Sequence, residues 1–206
     1  MASKRLACLA LSTVLATSWL APSVAGAKLS PSQLPQSAAR PTFTALFQRD
    51  MRVLAQSIAT NSASEAQRVF FMEQPYVSMK TGEIPNPRSD YQHRLVAFYR
   101  LDLAAYHQSL FARAKTTYLY ARANPSFASW IVPGACENKI GYWHEPGVRL
   151  IFRRDGVVVS VAVDSLISWR GVWYVVHLGP NPRPRDVGTV DGWAKGRGTP
   201  GPAGGC

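Results

Sequence analysis

Cys136, His144 and Glu145 fall close together in the stretch CENKIGYWHEPGV, which places a thiol, an imidazole and a carboxylate within reach of one another. Two chemistries would use such a set. A cysteine nucleophile needs a thiolate stabilised by a nearby cation or helix start, together with a positioned base. His144 or His177 offers that base. The residues after Cys136 read as a strand, however, and the motif of papain-like or cell-wall cysteine peptidases is absent. A zinc-protease helix needs a second histidine four residues after the first, on the same helical face. That position is Val148, and Pro146-Gly147 breaks any helix there, so the metal reading fails. The four histidines are scattered and do not make a zinc site by spacing. His144 reads as a turn residue or pocket wall, His93 as a polar helix residue, and His177 as a strand residue able to sit hydrogen-bonded in a core.

Other catalytic signatures are missing. There is no Gly-x-Ser-x-Gly elbow, phosphate-binding loop or dinucleotide fingerprint. No catalytic residue and no cofactor is assigned. Asp155 and Asp164 read as turn residues. Acids are scarce, twelve in all, which disfavours a glycosidase carboxylate pair. Trp130, Trp143, Trp169, Trp173 and Trp193 could stack on sugars or bases, although Trp169 and Trp173 flank a turn and can simply pack across a hairpin. No nucleic-acid module is recognisable, so no specific nucleic acid is expected.

The elements that must position these residues follow from periodicity. Phe43, Leu46, Phe47, Leu54 and Ile58 predict a helix over about 42–60. Ser62 with Glu65 is a capping box for a short second helix, stopped by Pro75. Residues 76–90 read as a turn or short strand, and Ser89-Asp90 as the cap of a third helix. On it, Val96, Tyr99, Leu103, Tyr106 and Leu110 form an amphipathic stripe. Asp90, Arg94, Asp102 and His107 lie along the same helix. Asp102 sits in its apolar section and, if buried, needs a partner such as Arg94, Arg149 or a tyrosine hydroxyl.

KTTYLYARA favours a strand, and from Ile140 onward the pattern is sheet. Asp155-Gly156 and Arg170-Gly171 are tight turns between VRLIFRR, the β-branched run VVVSVAV and the closing strand VWYVVHL. Eight glycines and five prolines crowd the stretch from Gly179 to Cys206, a composition that builds no core and is expected to wander over the surface. The fold class expected is α+β, with N-terminal helices packed on a curved C-terminal antiparallel sheet.

The N-terminus sets the compartment. Lys4-Arg5, an apolar run to Leu20 and the small residues Ala25-Gly26-Ala27 predict a secretory signal peptide over residues 1–27. The apolar run is short for a bilayer span, so no transmembrane segment is expected in the mature form. A flexible leader follows over 28–41, a single α+β domain over 42–179 and the Gly/Pro-rich tail over 180–206. Cleavage removes Lys4 and Arg5 and lowers the formal charge from +11 to +9. A basic exported chain is attracted to anionic wall polymers or to another exported protein. Cleavage also removes Cys8 and leaves Cys136 and Cys206, a disulfide pair in an oxidising compartment. The bridge would pin the tail beside Pro133-Gly134, worth about 4 to 5 kcal/mol in the chain-entropy picture.

Three stretches, MKTGEIPNPRSDYQHRL, GACENKIGYWHEPGVRL and SLISWRGVWYVVHLGP, resemble a family of exported actinobacterial proteins of unknown function. They cover much of residues 79–180. The order of elements, with the closing strand VWYVVHL, resembles the cone-shaped nuclear-transport-factor-2-like superfamily. That superfamily holds enzymes, binding modules and inert partners, so the resemblance carries no catalytic residues over. It does imply a cavity, for which the candidate lining residues are Tyr99, Asp102, His144 and His177. The function expected is a secreted, non-catalytic binding or interaction module at the cell envelope. The alternative is a small pocket hydrolase or isomerase using an Asp-His or Asp-Tyr pair, in which Asp102 acts with His177 or Tyr99.

Overall fold

The computed structural model describes residues 36–202. The expected signal peptide, most of the leader and Cys206 lie outside the described residues. Helix α1 spans Ala45–Thr60 and buries Phe47, Met51, Leu54, Ala55 and Ile58 along one face. It ends at Asn61, whose φ of 49° is the left-handed stop that asparagine tolerates. Helix α2, Ala63–Ala66, starts at Ser62, whose side chain accepts from the Glu65 amide as the capping box requires. Helix α3 follows at Glu73–Met79; Pro75 sits inside its first turn, where a missing amide costs nothing, rather than ending the element before it.

Helix α4, Pro87–Asp90, runs through a π-helical turn at Tyr91–Leu95 into α5, Val96–Leu110. The cap is Asn86, which accepts from the Ser89 amide at 3.0 Å, and not Ser89-Asp90 as the sequence pattern suggested. Pro87 at the first helical position fixes that start. Every member of the predicted apolar stripe, Val96, Tyr99, Leu103, Tyr106 and Leu110, is buried.

The sheet is antiparallel and open, with β3 (Tyr142–Arg154) and β4 (Val157–Trp169) at its centre. Strands β1 (Thr116–Arg122) and β2 (Ser129–Ile131) pair in succession along the free edge of β3. Strands β5 (Val172–His177) and β6 (Ala194–Lys195) do the same along β4. Positive φ at Asp155 and Gly156, and again at Arg170 and Gly171, makes both hairpin turns of the kind whose twist matches the strands. The outer edge of β5 is covered: Phe71 and Val175 exchange backbone bonds with Val175 and Val69 at 2.8 and 3.0 Å. The architecture is therefore α+β, with helices packed on one curved sheet. Asp164 is no turn residue but a buried position within β4.

The segment after Gly179 does not wander. Asp102 on α5 is 1% exposed and forms an ion pair with Arg183, both side chains being almost wholly buried. It also accepts from the amides of Gly179 and Thr189, each at 3.0 Å. Tyr106 accepts from the Asp191 amide, and the Ala162 amide donates to the Asp191 carbonyl at 2.9 Å. Gly188 lies against the Leu101 carbonyl so tightly that no Cβ would fit. Glycine content that looked like looseness is what lets this strap lie flat on the helix. The leader's end is likewise held: Trp143 Nε1 donates to the Ala38 carbonyl at 2.7 Å, and Gln36 accepts from the Arg170 amide at 2.7 Å.

Candidate functional site

Between the sheet face, helix α3 and the π-helical turn lies a cavity of about 850 Å³. Its apolar walls include Phe71, Met79, Leu95, Tyr142 and Ile167, and Ile84, Phe127 and Ile131 stand at partly covered positions around it. Two groups of polar side chains enter it, one from the sheet and one from the helices.

On the sheet, His144 of β3, Ser165 of β4 and His177 of β5 form a polar row across three neighbouring strands. Ser165 is the register partner of His177. Its Oγ lies 2.6 Å from His144 Nε2, two positions along from the direct partner Ile167. Burial lowers the pKa of His144. Burial also holds His177 down at about 4, helped by the positive charges of Arg94, His144, Lys80 and Arg183. Both imidazoles are accordingly neutral near pH 7.

On the helical side, Asp90 and Arg94 stand one turn apart at the π-helical turn, a distortion that often marks functional sites. Arg94 gives Nε and one Nη to the two Asp90 oxygens at 2.6 Å each, and that same Nη to the Tyr76 hydroxyl at 3.0 Å. The Tyr76 hydroxyl in turn donates to Asp90. Burial raises the Asp90 pKa, but the Arg94 and Tyr76 bonds outweigh it and the carboxyl ends below its ordinary value. Arg94 is held charged, chiefly by its bond to Asp90. Lys80 Nζ sits 3.6 Å from Glu137 Oε2 and 4.9 Å over the Tyr76 ring. Its own pKa is lowered by burial, against the opposing pull of Glu137.

Of the four candidate pocket residues, His144 and His177 line the cavity, while Tyr99 and Asp102 do not. Tyr99 is 2% exposed, stacks on Phe70 at 4.2 Å and donates to the Ala66 carbonyl at 3.0 Å. Asp102 faces the strap, and its partner is Arg183 rather than Arg94, Arg149 or a tyrosine. An acid–base pair of Asp102 with His177 or Tyr99 is therefore not assembled. Arg149 is buried under the strap, with Gly192 and Gly198 packed on its guanidinium.

Ser165, Arg94, Tyr76 and Lys80 were not singled out as pocket residues from sequence. Ser165 is one of three serines in β4, with Ser160 and Ser168, and follows Asp164, so no sequence signal set it apart. Cys136 lines the cavity rim, and its expected partner Cys206 is outside the described residues. Among the described residues no cluster of three or more His, Cys, Asp or Glu side chains could hold a metal ion. No helix of the described residues is long and apolar enough to cross a membrane. Comparison with family models, curated proteins and solved structures finds no match for this chain.

Proposed function

We propose that the chain is an exported, non-catalytic binding module at the cell envelope and that its cavity holds a small amphipathic molecule. The observation that carries this reading is the cavity itself: a volume of about 850 Å³, largely apolar walls and a few converging polar groups. That combination is what ligand sites of drug-sized molecules share. The expected acid–base pair for a hydrolase or isomerase is not assembled there, which favours binding over turnover. Export rests on the signal-like N-terminus, and a Cys136–Cys206 bridge would close the strap beside the rim. A peptide map without reductant tests the bridge; recovery of both thiols in alkylated form would reject it. The excess of basic residues suits an anionic wall polymer, or an exported partner protein, as the neighbour of the loaded module.

The test is titration with the neutral dye phenylnaphthylamine. Saturable one-to-one fluorescence enhancement is expected, and the variant Val176→Phe, which fills the cavity, should abolish it while unfolding as cooperatively as wild type. Enhancement that never saturates, or that Val176→Phe leaves intact, would overturn the reading.

A further inference from the structure

The polar groups of the cavity are unbalanced in a way that specifies a ligand. Guanidinium and ammonium groups have only donors to offer. Asp90 and Tyr76 occupy Nε and one Nη of Arg94, and the second Nη takes part in none of these bonds. The Lys80 ammonium, nearly buried, faces a half-exposed Glu137 at 3.6 Å, a separation longer than a hydrogen bond. The Tyr142 hydroxyl accepts from Asn138 Nδ2 at 3.3 Å and keeps its own proton to give. Among the lining side chains, Glu137 is the one carboxylate against Lys80 and Arg94. A guest that satisfies this wall must bring acceptors and negative charge, because the groups that face it are donors and two of them are cationic.

We infer that the cavity takes a monocarboxylate with an apolar tail. Its carboxylate meets Arg94, Lys80 and Tyr142 on the side facing His177, and its tail lies along Met79, Ile84, Leu95, Phe127 and Ile131. This identifies the ligand class of the site and rests on the ligand-binding reading above.

The same geometry couples binding to protons. His177 is faced by Arg94 from the π-helical turn, Lys80 from the end of α3, His144 from β3 and Arg183 from the strap, with Asp90 and Glu137 as the acids that partner Arg94 and Lys80. A carboxylate placed among them offsets that positive field and favours the imidazolium. Binding therefore favours proton uptake as pH falls toward the His177 value of about 4, a modest tightening between about pH 7 and about pH 5.5.

The experiment is calorimetric titration of the full chain with octanoate, octanol and octylamine, at both pH values and in two buffers of different ionisation heat. Octanoate should bind at least about tenfold more tightly than octanol, with proton uptake at the lower pH, and octylamine should not bind. Arg94→Gln should erase the preference for octanoate. Because Arg94 also holds Asp90, Tyr142→Phe serves as a milder variant and should narrow that preference while the fold is kept. Equal affinity for octanoate and octanol, or tighter binding of octylamine, would overturn the carboxylate inference and leave the binding module standing. Failure of all three ligands where the neutral dye still binds would overturn it equally. Failure of the dye as well would overturn the ligand-binding reading beneath it.

Discussion

Ser165 Oγ stands 2.6 Å from His144 Nε2, with His177 paired to the same serine across the next strand. The contact has the length of a strong hydrogen bond, and its imidazole is kept neutral by burial. A neutral base on a serine hydroxyl is half of a nucleophilic centre, which also needs oxyanion donors aimed at the reacting carbonyl. In the binding account the pair instead fixes the His144 ring as part of the cavity floor. Ser165→Ala and His144→Gln should then alter ligand affinity, by about 1 kcal/mol for one lost hydrogen bond, with no ester hydrolysis to lose. Stopped assays with short p-nitrophenyl esters check this. Turnover in wild type that both variants abolish would establish the pocket hydrolase.

The strap depends on Asp102. Asp102→Asn leaves Arg183 buried without its counter-ion, and breaking a buried pair costs about 3 to 5 kcal/mol. The double variant Asp102→Asn with Arg183→Met removes both charges and should recover much of that loss. Urea denaturation measures the stabilities, and hydrogen exchange should show protection lost first at Thr189 and Asp191, whose amides bond to Asp102 and Tyr106. A single variant as stable as wild type would show that the pair does not hold the strap.

Asp164 gives stability a pH dependence of unusual sign. It is 3% exposed, and burial, with the charges of Asp191 and Asp102, pushes its pKa up to about 7. Its folded value lies above the unfolded one, so the unfolded chain gives up this proton first as pH rises. Stability from this group is lost between about pH 4 and pH 7 and stays lost above that. Glu145, raised to about 7 by burial, acts in the same direction. His177, held at about 4, acts oppositely, since the unfolded chain binds its proton below about pH 6.5. Asp164→Asn should therefore stabilise the protein at about pH 8, on the order of 2 to 4 kcal/mol, and do little at about pH 4. Equal effects of the substitution at both pH values in thermal melts would refute the assignment.

What was legible in the sequence is what depends on neighbours in the chain. The α5 stripe from Val96 to Leu110, the Ser62 cap and the Asp155-Gly156 turn are local patterns, and each appears where the pattern puts it. His177 was legible as a histidine within a strand, whereas His144 was read as a turn residue or pocket wall and stands in β3. Asp102 was legible as an acid in the apolar section of its helix that would need a partner if buried, but the partner itself was not, because Arg183 comes from a segment whose composition argues against any packed structure. Gly179, Gly188 and Gly192 reverse that inference: they are packed against Asp102, Leu101 and Arg149 respectively. The Tyr76–Asp90–Arg94 network was hidden for a related reason. Asp90 and Arg94 are a legible helical pair, but Tyr76 joins them only once α3 folds against α4 and the π-helical turn.

The central claim is that the interior between helices and sheet is the binding site. Methyl-resolved NMR of the dye complex tests it most directly. Ring-current shifts are predicted at Met79, Ile84, Ile131, Ile167 and Val176, which line the cavity, with Val132, Val157 and Val187 on the outer surface unmoved. Shifts confined to the outer valines, or a silent interior at saturating dye, would contradict the account.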